Sequence, residues 1–192
     1  DKDVAFRCVE YTPIDVGGHK FLSFSVAFDR TPESIFPLTV GSIVREPAIY
    51  WHNIARANDK WWRFLVDEEQ IPACFDNEEG DQGYKILNSY VSGDRIIAYA
   101  KGYGAVGWGV ITDPDSYCLI AEGDSFDKLN GSCRHRLSID WKSTADSLSD
   151  GMRPHEIREK YDIYHPISTS VSINMGRGEK LIQALSEHFK HS

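Results

Sequence analysis

The run AYAKGYGAVGWGVI, residues 98 to 111, places glycine at 102, 104, 107 and 109 directly after the apolar segment IIAYA. The first three glycines fit G-x-G-x-x-G, the spacing of a dinucleotide-binding loop. That loop works only by opening a helix whose N-terminus holds the pyrophosphate. Here the glycines run into WGVITDPD, which is strand-like and halts at Pro114, and no acidic residue ends a second parallel strand about 20 residues on. The stretch instead predicts an antiparallel pair turned at 101–104, with Gly107 and Gly109 alternating with Val106, Trp108 and Val110. A strand face stripped of side chains lets another backbone, or a flat ligand, approach closely.

The surroundings are strand-rich as well. VAFRCVEY (4–11) and KFLSFSVAFD (20–29) alternate apolar with polar residues and predict a hairpin. A looser segment with Pro32, Pro37 and Pro47 reads as a linker. AIYWHNI (48–54) is an aromatic strand, after which Asn58 or Asp59 caps a short helix, DKWWRFLVDEE. Trp61 and Trp62 point in different directions on that helix, so one is expected in the core and the other partly exposed. IPACF (71–75) is a short strand, DNEEGDQG an acidic solvated turn, and a helix passes through Tyr84 and Leu87. CRHRLSIDW (133–141) alternates as one strand, MRPHEIREKY suits a helix with Pro154 in its first turn, and STSVSIN (168–174) is a further strand. Glu179 to Phe189 is an amphipathic helix with Leu181, Ile182, Leu185 and Phe189 on one stripe. Together these predict an α+β chain: a small barrel flanked by short helices over residues 45–192, preceded over 1–44 by a hairpin extension or the tail of a neighbouring domain.

The formal charge of −8 argues against indiscriminate nucleic-acid binding. Its distribution is uneven. Residues 1–130 carry 12 Lys and Arg against 21 Asp and Glu, whereas residues 131–192 carry 9 against 8. The rear of the chain, with Arg134, Arg136, Arg153, Arg158, Lys160, Arg177 and Lys180, reads either as ordinary solvated surface or as a local footprint for a polyanion. No apolar run reaches the roughly 20 residues that span a bilayer, and DKDVAFRCVEY lacks the shape of a signal peptide. Cys8, Cys74, Cys118 and Cys133 form no C-x-x-C pair, which argues against a zinc site. Small buried thiols in a reducing, cytoplasmic compartment are expected, with a disulfide open but not signalled.

The order G-D-x-I-x-A-Y-x-K-G-x-G-x-V-G-x-G-V-I, Gly93 to Ile111 here, resembles the core of EVE-like domains. These belong to the PUA-like superfamily, which also holds the YTH and ASCH domains. The similarity extends to IYWHNI followed by a helix and IPACF, to Ile139-Asp140-Trp141, and to STSVSIN before a C-terminal helix, covering about residues 45–190. Trp108 departs from the aliphatic residue usual in relatives, and IPACF lacks the tryptophan many of them carry. The resemblance implies a barrel that reads a modified base in an aromatic pocket by base flipping. EVE-like domains occur in modification-dependent restriction systems fused to nuclease or motor domains, and YTH relatives bind N6-methyladenine in RNA. DNA bearing methylated cytosine or N6-methyladenine is the partner implied, in a restriction or anti-phage setting, with a fused or associated nuclease. An RNA or small-molecule reader, or a protein-interaction domain without a pocket, stays open.

A flipped base needs flat walls, groups for its edge and cations for its backbone. Candidate walls are Trp51, Phe75, Tyr103, Trp108 and Trp141, each of which suits core packing too. Candidates for the base edge are Asn53, Ser168 and Ser170, with backbone groups around Ala73 and Cys74. Asn58 suits a helix cap better. Phosphate candidates are Lys101 at the glycine turn, Arg134 and Arg136 on one strand face with His135 opposite, Lys180, and Arg177 among glycines ahead of the last helix. No enzyme centre is visible. The cluster DNEEGD lacks a strand-borne lysine and fails EF-hand spacing, and H-E-x-x-H, G-x-S-x-G, P-loop and zinc-deaminase signatures are absent. A binding domain without metal or cofactor is therefore expected.

Overall fold

The computed structural model describes residues 45–54, 58–124, 127 and 133–190, together with the backbone of 6–16 and 19–28. The linker expected at Pro32 and Pro37, and His191, lie outside these residues. The chain divides into two compact units, Asp1–Ile43 and Val44–Ser192. In the first, β1 (Phe6–Val16) and β2 (His19–Phe28) form an antiparallel hairpin whose register shifts between Cys8 and Glu10.

The second unit is α+β. Strands β3 (Ile49–Asn53), β5 (Arg95–Ala100), β6 (Gly104–Val110), β9 (Asp140–Thr144) and β10 (Ser170–Ile173) form one sheet in the order β10-β3-β5-β6-β9. β3 and β5 run parallel and the other neighbours antiparallel. Strands β4 (Gln70–Ala73), β7 (Cys118–Leu119) and β8 (His135–Ser138) form a second, antiparallel sheet in the order β4-β8-β7. The helices are α1 (Asp59–Asp67), α2 (Gln82–Leu87), α3 (Pro154–Tyr161) and α4 (Met175–His188).

The glycines decide how these layers meet. β5 and β6 form the expected antiparallel pair. A Cβ on Gly107 would lie 3.0 Å from the Ser143 carbonyl oxygen and 3.1 Å from the Trp62 ring, and one on Gly109 2.8 Å from Ile139. The bare face therefore receives α1 and the β8–β9 corner. The opposite face carries Trp51 and Trp108, with Trp51 Nε1 donating to the Tyr164 carbonyl at 2.9 Å and Trp108 Nε1 to Ser186 of α4 at 2.8 Å. α4 lies against that face with Leu181, Ile182, Leu185 and Phe189 buried.

The entry to β3 is fixed by the buried Asp94 carboxylate. It accepts from Arg45 Nη1 at 2.7 Å, from Arg45 Nη2, and from the backbone N–H groups of Ala48 and Val91, both at 2.9 Å. The two sheets are tied by His52. Its Nε2 lies 2.6 Å from the Pro72 carbonyl, which can only accept, so Nε2 carries the proton. Nδ1 is then bare and accepts from the Tyr90 hydroxyl at 2.9 Å. Burial pushes the His52 pKa down to about 4, against the pull of the Pro72 carbonyl.

Four local expectations change. The alternating run 133–141 is not one strand: Ile139 leaves the ladder and its N–H donates to the Glu69 carbonyl at 2.8 Å, so β8 and β9 belong to different sheets. Trp61 and Trp62 are both buried, because α1 is covered on two sides. The last helix starts at Met175, since Asn174 caps it by accepting from the Arg177 N–H at 3.2 Å; Arg177 lies in the first turn, not in a loop before it. Cys74 and Cys133 are joined as a disulfide, and Cys118 is free and exposed, so the expectation of small buried thiols fails at these positions.

Two predictions follow from this packing. Gly102 and Gly104 have φ of +91° and +108°, but only a Cβ on Gly104 would strike its surroundings, the Met152 carbonyl. Gly102→Ala should cost about 1–2 kcal/mol for the left-handed backbone alone, and Gly104→Ala roughly 3 kcal/mol or more. Urea denaturation of both variants checks the difference. For His52, the folded pKa lies below the unfolded one, so its contribution is complete above about pH 6.5 and is lost as pH falls toward 4. The loss should reach roughly 3 kcal/mol, and His52→Gln should flatten that part of the stability–pH curve.

Candidate functional site

β8 and α1 build a site around a buried cation. Alternation along β8 sends His135 and Leu137 to the face that packs α2, where Gly83 leaves room for the His135 ring. Arg136 points to the other face. Its ladder neighbours there are Pro72 of β4 and Cys118 of β7. Beneath it lies α1, started by the Asn58 side chain, which accepts from the Trp61 N–H at 2.9 Å. That cap turns Trp61 under the strand, and the Arg136 guanidinium carbon sits 4.9 Å above the Trp61 ring. Phe64, three residues on, stacks on Trp61 at 5.4 Å between ring centroids with planes 17° apart.

Arg136 is 1% exposed and Trp61 3%. Burial pushes the guanidinium down to about 10, against the favourable charges of Cys118 and Asp127, so it stays cationic at neutral pH. Arg136 Nη1 donates to the His135 carbonyl at 3.1 Å. Its other edge is unmet: Nε and Nη2 find no acceptor among the described residues, and neither does Trp61 Nε1. Each unmet buried donor costs about 1–3 kcal/mol, more for a charged group. Donors of this kind suit a partner rich in acceptors.

The end of β4 and the start of β8 form the rim. Ala73 is buried and pairs with His135, the disulfide joins Cys74 to Cys133, and Phe75 is 37% exposed. Arg134 is held by Asn77, its N–H donating to Asn77 Oδ1 at 2.7 Å and its Nη2 to the Asn77 carbonyl at 3.1 Å. A neighbouring cavity of about 420 Å³ runs along α1 and is lined by Asn58, Lys60, Trp61, Phe64 and other α1 residues. Ser170 connects through hydrogen bonds: its Oγ lies 2.8 Å from the Tyr90 hydroxyl, which meets His52 and, through it, Pro72. Ser168 Oγ donates to the Ser170 carbonyl at 3.0 Å, and the Asn53 N–H donates to the Thr169 carbonyl at 2.7 Å.

The remaining candidates stand apart from this group. Trp51 is 2% exposed in the core, edge-on to Tyr99, with no open face. Trp108 is held by α4, and Trp141 packs edge-on to Trp62 while its Nε1 donates to the Leu65 carbonyl at 3.2 Å. Tyr103 and Lys101 are exposed at the β5–β6 turn. Arg177 pairs with Asp162 at 2.8 Å and Lys180 is exposed on α4, whose first turn packs on Ile49, the opposite end of β3 from Asn53. Trp61, Phe64, His52 and Tyr90 are not among the site candidates read from the sequence. The inward arginine of an alternating strand was the available signal, because a buried cation demands an aromatic or anionic neighbour. Among the described residues no three His, Cys, Asp or Glu side chains gather as a metal site.

No known family profile matches the chain, and no curated protein sequence matches it. Among solved structures it is similar to the Mmi1 YTH domain complex with RNA, with a TM-score of 0.49 and 11% identity over 75% of this chain and 82% of that one. It is also similar to the YTH domain of the Zygosaccharomyces rouxii MRB1 protein in complex with N6-methyladenosine RNA, with a TM-score of 0.46 and 10% identity over 71% and 86%. Likenesses of this size assign neither a family nor a ligand to this chain.

Proposed function

We propose that residues 44–192 are a recognition module that takes one modified nucleobase of DNA out of its stack, and that the chain is a binding protein, with any nuclease supplied by a partner. The observation that carries this reading is the unmet donor set of Arg136 and Trp61, buried against the indole face. A base taken from its stack offers in-plane acceptors for the donors. The resemblance of Gly93–Ile111 to EVE-like domains supports the same reading and favours DNA in a modification-dependent restriction setting. Phe75 and Arg134 at the rim are the groups proposed to meet flanking bases and phosphates. Arg177 and Lys180 belong to a different end of the sheet and enter this reading only through long-range attraction.

The test is a titration at low salt of labelled DNA strands and duplexes carrying 5-methylcytosine, 5-hydroxymethylcytosine, N6-methyladenine or no modification, with matched RNA. The expected result is tighter binding of modified DNA, weakening as salt rises because few cations meet phosphate on an acidic body. Equal affinity for all strands would sink the reading, and preference for modified RNA would move it to that polymer.

A further inference from the structure

Nε and Nη2 of an arginine lie on one side of the guanidinium, so their N–H bonds point in parallel. They match two adjacent acceptors in one plane, as a carboxylate, a phosphate or the O6/N7 pair of guanine provides. In Arg136 these two nitrogens are the unmet pair, while Nη1 is turned to the His135 carbonyl. The guanidinium carbon sits 4.9 Å from the centre of the Trp61 ring, and the two nitrogens of the fork edge are buried without an acceptor among the described residues.

An extruded base is read on its Watson–Crick edge. Adenine presents there an N1 acceptor beside an amino donor, so one N–H of the fork meets a hydrogen. Thymine alternates acceptor, donor, acceptor. Guanine offers one acceptor and two donors. Cytosine alone sets two acceptors side by side, O2 and N3, and its C5 substituent lies on the far side of the ring. A phosphodiester fits the fork but carries a charge that a site this buried must strip of water at high cost.

We propose that Arg136 reads the O2/N3 pair of a cytosine ring, so that the base recognised is a modified cytosine and not N6-methyladenine. This rests on the reading of the chain as a nucleobase-recognition module. Trp61 holds the guanidinium over its ring, and a substituent at C5 points away from Arg136.

The unaltered chain tests this directly. Single strands with one 5-methylcytosine, one N6-methyladenine, one guanine, or one 3-deaza analogue of 5-methylcytosine, which replaces the N3 acceptor by C–H, are compared in binding, with inorganic phosphate as competitor. The 5-methylcytosine strand should bind on the order of tenfold to a hundredfold more tightly than the other three, and phosphate should not displace it selectively. Arg136→Lys, which keeps the charge and loses the parallel edge, should erase that preference while its melting curve shows a folded chain. If the variant unfolds, the deaza comparison decides alone. Binding of N6-methyladenine as tight as 5-methylcytosine, or indifference to the deaza change, overturns the cytosine assignment and leaves the module a reader. Preferred binding of guanine, or selective displacement by phosphate, overturns it too. No discrimination among any of the strands overturns the module reading itself, and this assignment with it.

Discussion

The hydrogen bond from His52 to the Pro72 carbonyl joins two sheets that share no ladder. Pro72 lacks an N–H, so β4 is weakened as a strand at that residue, and its carbonyl is met from the side by β3. The bond holds β4, and through β4 the β8 strand, at the bare glycine face of β6. Arg136 owes its position to this: with β8 fixed there, its side chain lies over the Trp61 ring of α1. Neutral, buried His52 is thus a structural joint, and the site is assembled by elements that meet only because the joint holds.

A buried arginine with one satisfied nitrogen and one unmet edge is an unfavourable arrangement for a structural role alone. A leucine or methionine at that position would pack on Trp61 without the desolvation cost. The charge is tolerated because the indole ring and the Asp127 charge offset part of that cost. What they leave unmet is directional, and directionality is what recognition of a planar ligand requires. The disulfide between Cys74 and Cys133 ties the end of β4 to the chain entering β8, which fixes the rim on both sides of Arg134.

Local features of the fold were legible in the sequence. The β5–β6 hairpin follows from glycines that run into a strand, α1 from Asn58 before an apolar pattern, and the buried stripe of α4 from residues spaced at helical intervals. The break at Ile139 was not legible, because alternation continues unchanged through a residue that switches sheets. Nor was the pairing of Cys74 with Cys133, 59 residues apart, since spacing alone does not bring two thiols together. Among site candidates, Ala73, Cys74, Phe75, Arg134 and Arg136 share one rim. The tryptophans do not, because large rings at sheet-facing positions are taken by the core. Trp61 is not among the candidates for the opposite reason: on a helix it reads as packing, and only the strand above it brings Arg136 over its ring.

The central claim is that the Arg136 edge and the Trp61 N–H are the donors a ligand meets. The most direct measurement is NMR observation of the Arg136 Nε–H and Trp61 Nε1–H resonances while a strand carrying the preferred modified base is added. Both resonances should shift downfield with the same saturation point as the binding curve, and should gain protection from exchange with water. Binding that saturates while both resonances stay unmoved would contradict the claim and place the ligand elsewhere on the molecule.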